Sequence, residues 1–355
     1  MIDRACADVR GHRRRPVVIF FNAIGDHVLA LPAMRAFGRL FGSEWALVSL
    51  KGAIETIFAD VSVGAVCEIV KSRPDEDELV IPEVELSRLD EYLSEGTVLA
   101  GKASTGGGDK SALFADLLVC LNEQHSPLID DFTRWLSPRR SIGRLPVFTR
   151  QLPMRGRVHA FDRAFELASA LDPTLILDDF VRPVSVPPAA FALVRSLRDA
   201  LPRYRFLVVH ADTKLRKMWA TEAWRRVLES FLAVRPDFVV IAVGSRDIGL
   251  SEGRSDSRIF CCCGLPISLA IALVNSADLF CGIDSSMLHV ADLARIPGVG
   301  IFGTDTFDTF GFRFSDHEHI FDERGLSGIA PERVAEALLS LSHSDPVSWT
   351  RSRCI

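Results

Sequence analysis

Apolar residues along this chain fall into two kinds of run. Short continuous runs occupy 17–21, 45–50, 65–70 and 116–121 in the first half, and 206–210, 238–243, 258–262, 278–282 and 298–302 in the second. Their length and β-branched content predict strands buried on both faces. Residues 83–94, 158–170 and 331–341 instead read as helices. The clearest helix is 221–234, where Trp224, Val227, Leu228, Phe231 and Leu232 form a stripe at i, i+3, i+4, i+7 and i+8, with Thr221 as the expected N-cap. Strands that alternate with helices predict parallel sheets covered on both faces, an α/β architecture that is doubly wound in each half.

Val184-Ser185-Val186-Pro187-Pro188 separates the two series, and its prolines suit an extended linker. We expect a first domain at 1–186, a second at 187–342 and a tail at 343–355. A chain of 355 residues exceeds what one core usually serves, and two domains of about 170 residues fit that limit. The chain is 48% hydrophobic, yet no run approaches the ~18 residues that span a bilayer. Residues 1–16 are polar and Arg-rich, and the apolar run after them is too short for a secretory signal. The expectation is a cytoplasmic protein.

Lys and Arg total 41 against 46 Asp and Glu, a net charge of -5, which supplies no general field for nucleic acid. Arg13-Arg14-Arg15 is the one local hint of an anionic membrane surface, and such a cluster is more often a solvated terminus. Eight cysteines are present, of which Cys261, Cys262 and Cys263 are consecutive. Successive strand residues face opposite ways, so these three cannot converge on one metal, and buried thiols are expected. Gly96-Thr97-Val98-Leu99-Ala100-Gly101-Lys102-Ala103 imitates a phosphate-binding P-loop but has Ala where a hydroxyl belongs and follows a helix. Ser104-Thr105-Gly106-Gly107-Gly108 reads as a surface loop, and no Ser or Cys triad is recognisable.

Three segments carry candidate chemistry, each at the carboxyl end of a predicted strand, where α/β sheets hold ligands. In Asn22-Ala23-Ile24-Gly25-Asp26-His27, Gly25 allows a tight turn and Asp26 either caps the next helix or acts as a general base. In His210-Ala211-Asp212-Thr213-Lys214-Leu215-Arg216-Lys217-Met218-Trp219, three cations and a Thr hydroxyl suit a diphosphate, or form a solvated basic loop. Trp219 and Trp224 read as packing residues. In Asp284-Ser285-Ser286-Met287-Leu288-His289, carboxylate, hydroxyls and helix amides can hold sugar and phosphate oxygens, or simply cap a helix over a core histidine. Gly303-Thr304-Asp305-Thr306 could border the same crevice.

Taken in order, these segments resemble glycosyltransferase family 9, the bacterial heptosyltransferases of lipopolysaccharide core assembly. Residues 18–35 are similar to that family's strand, Gly-Asp loop and Leu-Pro-Ala helix, Arg139-Arg140-Ser141-Ile142-Gly143 to its mid-chain basic and glycine signature, His210 to Trp219 to its Lys-x-Trp segment, and 283–291 to its Asp-Ser/Thr-Gly-x-x-His motif. The resemblance implies a GT-B fold: two Rossmann-like domains with parallel sheets facing a central cleft, acceptor bound by the first and nucleotide-sugar donor by the second. It implies inverting, metal-independent transfer of a heptose or related sugar, ADP-heptose foremost, with no cofactor because the nucleotide sugar is itself a substrate. Asp26 would be the general base, and Thr213 and Lys217 would hold the diphosphate. Asp284, Ser285, Ser286 and His289 would hold the donor sugar and phosphates, and Ile267 would pack near the base. Ser286 stands where the family has Gly, and Asp212 where it has a small or hydroxyl residue. Asn122 and His125 are the candidates for contact with a saccharide, lipid-linked or small-molecule acceptor, which would bring the protein to the inner membrane surface if lipid-linked. A nucleotide-sugar epimerase and a non-catalytic nucleotide-sugar-binding protein are the competing readings.

Overall fold

The computed structural model describes residues 15–71, 79–99, 116–154, 156–213, 217–251 and 258–343. Cys6, Arg13, Arg14, Lys214, Arg216, the loop 104–108, Cys354 and most of the expected tail lie outside them. Gly96–Leu99 close the helix Glu83–Leu99, and the remainder of the P-loop-like stretch also lies outside the described residues.

The chain divides into two compact units. The first runs to Gly156 and includes Phe161–Phe180, whereas the second takes Arg157–Ala160 and the described chain from Val181 onward. The division thus falls ahead of the prolines at 187 and 188. Residues 181–187 carry no helix or strand and Pro187 is extended, as a linker requires, but Pro188 already opens the helix Pro188–Ala200 with Pro187 as its N-cap. A first-turn proline loses no helical hydrogen bond and has a φ already suited to the helix, which is why the two prolines start the helix.

The first unit is built on strands β1 (Val17–Phe20), β2 (Ala46–Leu50), β3 (Ala65–Lys71), β4 (Leu79–Val80), β5 (Leu117–Cys120), β6 (Arg140–Gly143) and β7 (Arg150–Gln151), in the order β4-β3-β2-β1-β5-β6-β7. All pairs are parallel except β3 with β4. Its central strands are buried along their whole length, as continuous apolar runs require.

The second unit carries β8 (Arg205–His210), β9 (Phe238–Gly244), β10 (Ile259–Cys263), β11 (Leu279–Ile283), β12 (Gly298–Phe302) and β13 (His317–Phe321), all parallel, in the order β10-β9-β8-β11-β12-β13. Counted within the unit this is 3-2-1-4-5-6, the doubly wound dinucleotide-binding order. The helix Thr221–Val234 buries the expected Trp224, Val227, Leu228, Phe231 and Leu232. Trp219 and Trp224 are packing residues, both buried, with ring centroids 5.4 Å apart. Ala220 rather than Thr221 occupies the N-cap, because Ala220 is non-helical (φ -59°, ψ 133°) after the buried Trp219 and the chain is already helical at Thr221.

Two glycines sit side by side in this sheet, Gly282 on β11 and Gly300 on β12. A Cβ at Gly282 would stand 2.8 Å from the Phe280 ring and 3.1 Å from the His210 carbonyl oxygen, and one at Gly300 would stand 3.0 Å from Leu288 Cδ1. The bare backbone lets the helix Ser286–Leu293, which carries Leu288, lie close against the strands.

The triple cysteine run corrects an expectation. It lies on the edge strand β10, where Cys261 is exposed and Cys262 and Cys263 are half-buried; only Ile259 joins the core from this strand. An edge strand packs neighbours on fewer sides, so apolar content there does not imply burial. No helix among the described residues is long and apolar enough to cross a membrane.

Candidate active site

In each sheet the strand order reverses at one place, and some of the candidate residues of that unit meet there. The reversal in the second unit lies between β8 and β11. Loops leaving these two strands diverge to opposite sides, which opens a crevice at their carboxyl ends. Lys217, on the loop after β8, and Asp284, directly after β11, meet across it with Nζ 2.6 Å from Oδ2. A cavity of about 280 Å³ adjoins the pair and is lined by Lys217, Ile283, Asp284, Ile301, Gly303, Thr304, Thr306 and Phe310. The loop after β12 therefore does border the crevice. The aliphatic and aromatic wall formed by Ile283, Ile301 and Phe310 was not visible in the motifs; its signal is position, because two of these residues end or nearly end strands β11 and β12.

Ser285 is the N-cap of the helix Ser286–Leu293, but its hydroxyl makes no capping bond. It is hydrogen-bonded instead to His210 Nδ1 at 2.8 Å. His210 is 9% exposed, and burial pushes its imidazole down to about 4 against a smaller upward pull from Asp212, so it is neutral near pH 7. The side chain that would ordinarily satisfy the first helix amides is thus held elsewhere. Ser286 is the first helical residue, and its φ is not in the left-handed region, so a side chain there strains no backbone.

His289, one turn further, is 3% exposed, and its Nδ1 is buried with no hydrogen-bond partner among the described residues. Burial lowers it to about 4; Asp284 opposes the shift, and His159 and Lys217 add to it. The neutral imidazole thus keeps one nitrogen with unused hydrogen-bonding capacity, behind the residues that line the cavity and not among them.

Asp212 does not face a phosphate. Its carboxylate is 6% exposed and turns toward the loop after β9, where Oδ2 accepts from Ser245 N at 2.9 Å, Arg246 N at 3.0 Å and the Ser245 hydroxyl, and Oδ1 accepts from Arg246 Nη2 at 2.8 Å and Nε at 3.2 Å. Burial would raise its pKa, but these bonds from Ser245 and Arg246 outweigh it and hold the carboxyl below its ordinary value. The partner lies far along the sequence, which is why the motif alone misplaces this residue. Thr213, next in the chain, is half-buried. Ile267 is the first residue of the helix Ile267–Asn275, half-buried after β10, and is not among the residues lining the cavity.

The segment Arg157–Ala160 of the second unit contacts the chain that follows β12. Arg157 pairs with Asp305 at 2.7 Å and Asp308 at 3.3 Å, and His159 Nε2 lies 2.9 Å from the Gly311 carbonyl. Asp292, fully buried, fixes the following turn by accepting from the amides of Arg313, Phe314 and Ser315.

The first unit reverses between β1 and β5. Asn22 and Asn122 leave those strands and meet there, Asn122 Nδ2 donating to Asn22 Oδ1 at 2.7 Å, while Asn122 Oδ1 accepts from Phe21 N at 3.2 Å. Asn122 is buried and ties the two strand ends together. His125 is exposed and pairs with Asp130 at 2.8 Å. Asp26 is the third residue of the helix Ile24–Phe41, half-buried, with Ala23 as N-cap. Gly25 is its second residue, and its φ is not positive, so it continues the helix and makes no tight turn. His27 locks this end: Nδ1 lies 3.0 Å from the Ala23 carbonyl and Nε2 3.0 Å from Ser49 Oγ, so Nδ1 carries the proton and Nε2 accepts from the hydroxyl. Asp26 is thereby held in the first turn of the helix, just beyond the carboxyl end of β1.

No protein-family model and no curated protein sequence matches the chain. Among solved structures, it shares its fold with a glycosyl transferase family 9 protein from Veillonella parvula DSM 2008 (TM-score 0.70, 16% identity, covering 93% of this chain and 97% of the other). It is also similar to E. coli ADP-heptose lps heptosyltransferase II (0.64, 13%, covering 92% and 98%). A third similar structure is the E. coli heptosyltransferase WaaC with ADP (0.61, 14%, covering 92% and 99%). The fold is therefore the α/β GT-B fold of these glycosyltransferases, as the motif order implied.

Proposed function

We propose that the chain is an inverting glycosyltransferase that moves a heptose or related sugar from a nucleoside-diphosphate donor, ADP-heptose foremost, to an acceptor hydroxyl. The observation that carries this reading is Lys217 paired with Asp284 at the switch point of a doubly wound sheet, over a cavity of about 280 Å³. The two similar E. coli heptosyltransferases, one of them with ADP, make this donor class the first to test.

In this reading Asp26 takes the proton from the acceptor hydroxyl as its oxygen attacks the anomeric carbon. The bond from that carbon to the diphosphate oxygen breaks on the opposite face, and configuration inverts. The leaving diphosphate gains negative charge, which the Lys217 ammonium and the uncapped amides at Ser286 and Met287 would stabilise in place of a metal ion. Asp284 holds Lys217 in position before the donor arrives and accepts from sugar hydroxyls. Thr304 and Thr306 supply hydroxyls, and Ile283, Ile301 and Phe310 supply an apolar wall for a sugar ring. Thr213 would contact the diphosphate and Ile267 the base, with Asn122 and His125 on the acceptor side.

Calorimetric titration of the full chain with ADP-, GDP-, UDP- and dTDP-sugars tests the donor claim, and no binding at millimolar concentration would sink it. Conversion of a donor without any acceptor would replace transfer by epimerisation.

A further inference from the structure

Four of the residues that line the cavity, Gly303, Thr304, Thr306 and Phe310, belong to the chain between β12 and β13. Directly after Phe310 that chain becomes buried at Gly311 and Phe312, and an imidazole holds each of the two. His159 Nε2 donates to the Gly311 carbonyl at 2.9 Å, and His319 Nε2, on β13, accepts from the Phe312 amide at 2.8 Å. A carbonyl only accepts and an amide only donates, so Nε2 carries a proton in His159 and is bare in His319.

The His319 bond depends on its surroundings. Gly311 leaves room for the ring, since a Cβ there would stand 2.4 Å from His319 Nε2. Phe302, Phe307 and Phe312 pack against the imidazole at centroid distances of 5.3, 5.6 and 6.2 Å. Burial pushes the ring down to about 4, and His317 and His159 add to the shift, so near pH 7 it is neutral and its Nε2 stays an acceptor. The short helix Phe307–Phe310 carries this anchor back to the cavity: Gly311 N donates to Phe307 O at 2.8 Å and Phe310 N to Thr306 O at 2.9 Å. His319 itself is not among the residues that line the cavity.

We propose that His319, through the Phe312 amide, is the positioning residue for the cavity wall that Thr306 and Phe310 provide. The wall is then in place before a ligand enters, and it favours a donor that carries a sugar over the bare nucleotide. A preformed wall avoids the ordering that a loose loop would cost on binding. This role rests on the reading above, in which the same wall packs against the donor's sugar.

The test compares ADP-heptose with ADP, both titrated calorimetrically at pH 7.5 into the full-length wild type, His319→Phe and His319→Gln. Phe keeps an aromatic ring but leaves the Phe312 amide without an acceptor, whereas Gln Oε1 can accept in place of Nε2. His319→Phe should weaken ADP-heptose about tenfold, the scale of one buried hydrogen bond, and change ADP by less than about twofold. His319→Gln should restore ADP-heptose to within about threefold of the wild type. Unchanged ADP-heptose affinity in His319→Phe, equal weakening of both ligands, or no recovery in His319→Gln would each overturn the assignment. Retained ADP binding shows that a variant is folded. If the wild type itself binds ADP-heptose no better than ADP, the sugar reading of the cavity falls and takes this assignment with it.

Discussion

His210 Nδ1 and Ser285 Oγ lie 2.8 Å apart, and this one bond decides what the helix Ser286–Leu293 offers to a ligand. A serine at an N-cap normally folds back onto the helix amides; here the imidazole draws its hydroxyl away, leaving the positive end of the helix open to an anion. Replacing His210 with Phe should free Ser285 to cap its own helix. Diphosphate affinity is expected to fall about five- to tenfold with little change in thermal midpoint, measurable by titration and a melting curve. Unaltered affinity would show that the amides play no part.

Acid should destabilise the fold in a defined window. His210 and His289 are both held near 4 by burial, against 6.5 in an unfolded chain. The unfolded chain therefore takes up protons that the folded one refuses as pH drops below about 6.5. The contribution of the two neutral imidazoles is fully present above that pH and is lost progressively toward pH 4. Urea midpoints at pH 7.5 and pH 5 should differ accordingly, and the difference should shrink in His289→Asn.

Asp26→Asn keeps the shape of the side chain and removes the base. Turnover should fall by about 10² or more while donor affinity stays nearly the same, as expected for a group that acts on the acceptor proton. Parallel loss of donor binding would assign Asp26 a structural role.

Lys217→Ala separates function from stability. The Lys217 and Asp284 side chains are 41% and 17% exposed, so the pair contributes on the order of 1 kcal/mol or less to folding. Catalysis should suffer far more, about 10² to 10³ in kcat, if the ammonium meets charge that develops on the leaving diphosphate. A loss of stability that accounts for the whole loss of activity would argue against that role.

Asp292→Ala addresses the scaffold. The buried carboxylate accepts from three backbone amides and the Ser315 hydroxyl. Removing it strands those donors, and a destabilisation of about 3 kcal/mol or more should appear in chemical denaturation.

Much of this architecture could be read from local pattern. The stripe from Trp224 to Leu232 and the strand Gly298–Phe302 were legible because burial imposes period 3.6 on a helix and continuity on a doubly covered strand. Short strands such as β7, two residues long, carry no period to read. Pro188 misled because the same ring that breaks a helix interior is favourable at its start. In the site, Lys217 and Asp284 were legible as residues after strands, and their contact follows from the strand order. The roles of Asp212 and Asn122 were not, because each is decided by a partner across the sheet: Arg246 for one, Asn22 and Phe21 N for the other. Which hydrogen bonds a side chain has already spent is a tertiary fact.

The paired glycines on β11 and β12 bear on any attempt to change donor preference by mutation. Leu288, one residue before His289, comes down onto Gly300. A methyl group at Gly300 would press on the Phe302 ring and on Leu288 of the helix, and one at Gly282 on the Phe280 ring and the His210 carbonyl, so either would force packed neighbours of the site to move. Libraries that randomise these positions would therefore return mostly inactive clones that say nothing about sugar selectivity. Diversity placed at Thr304, Thr306 and Phe310 samples the same chamber from its opposite wall, where side chains can be exchanged without lifting the helix from the sheet.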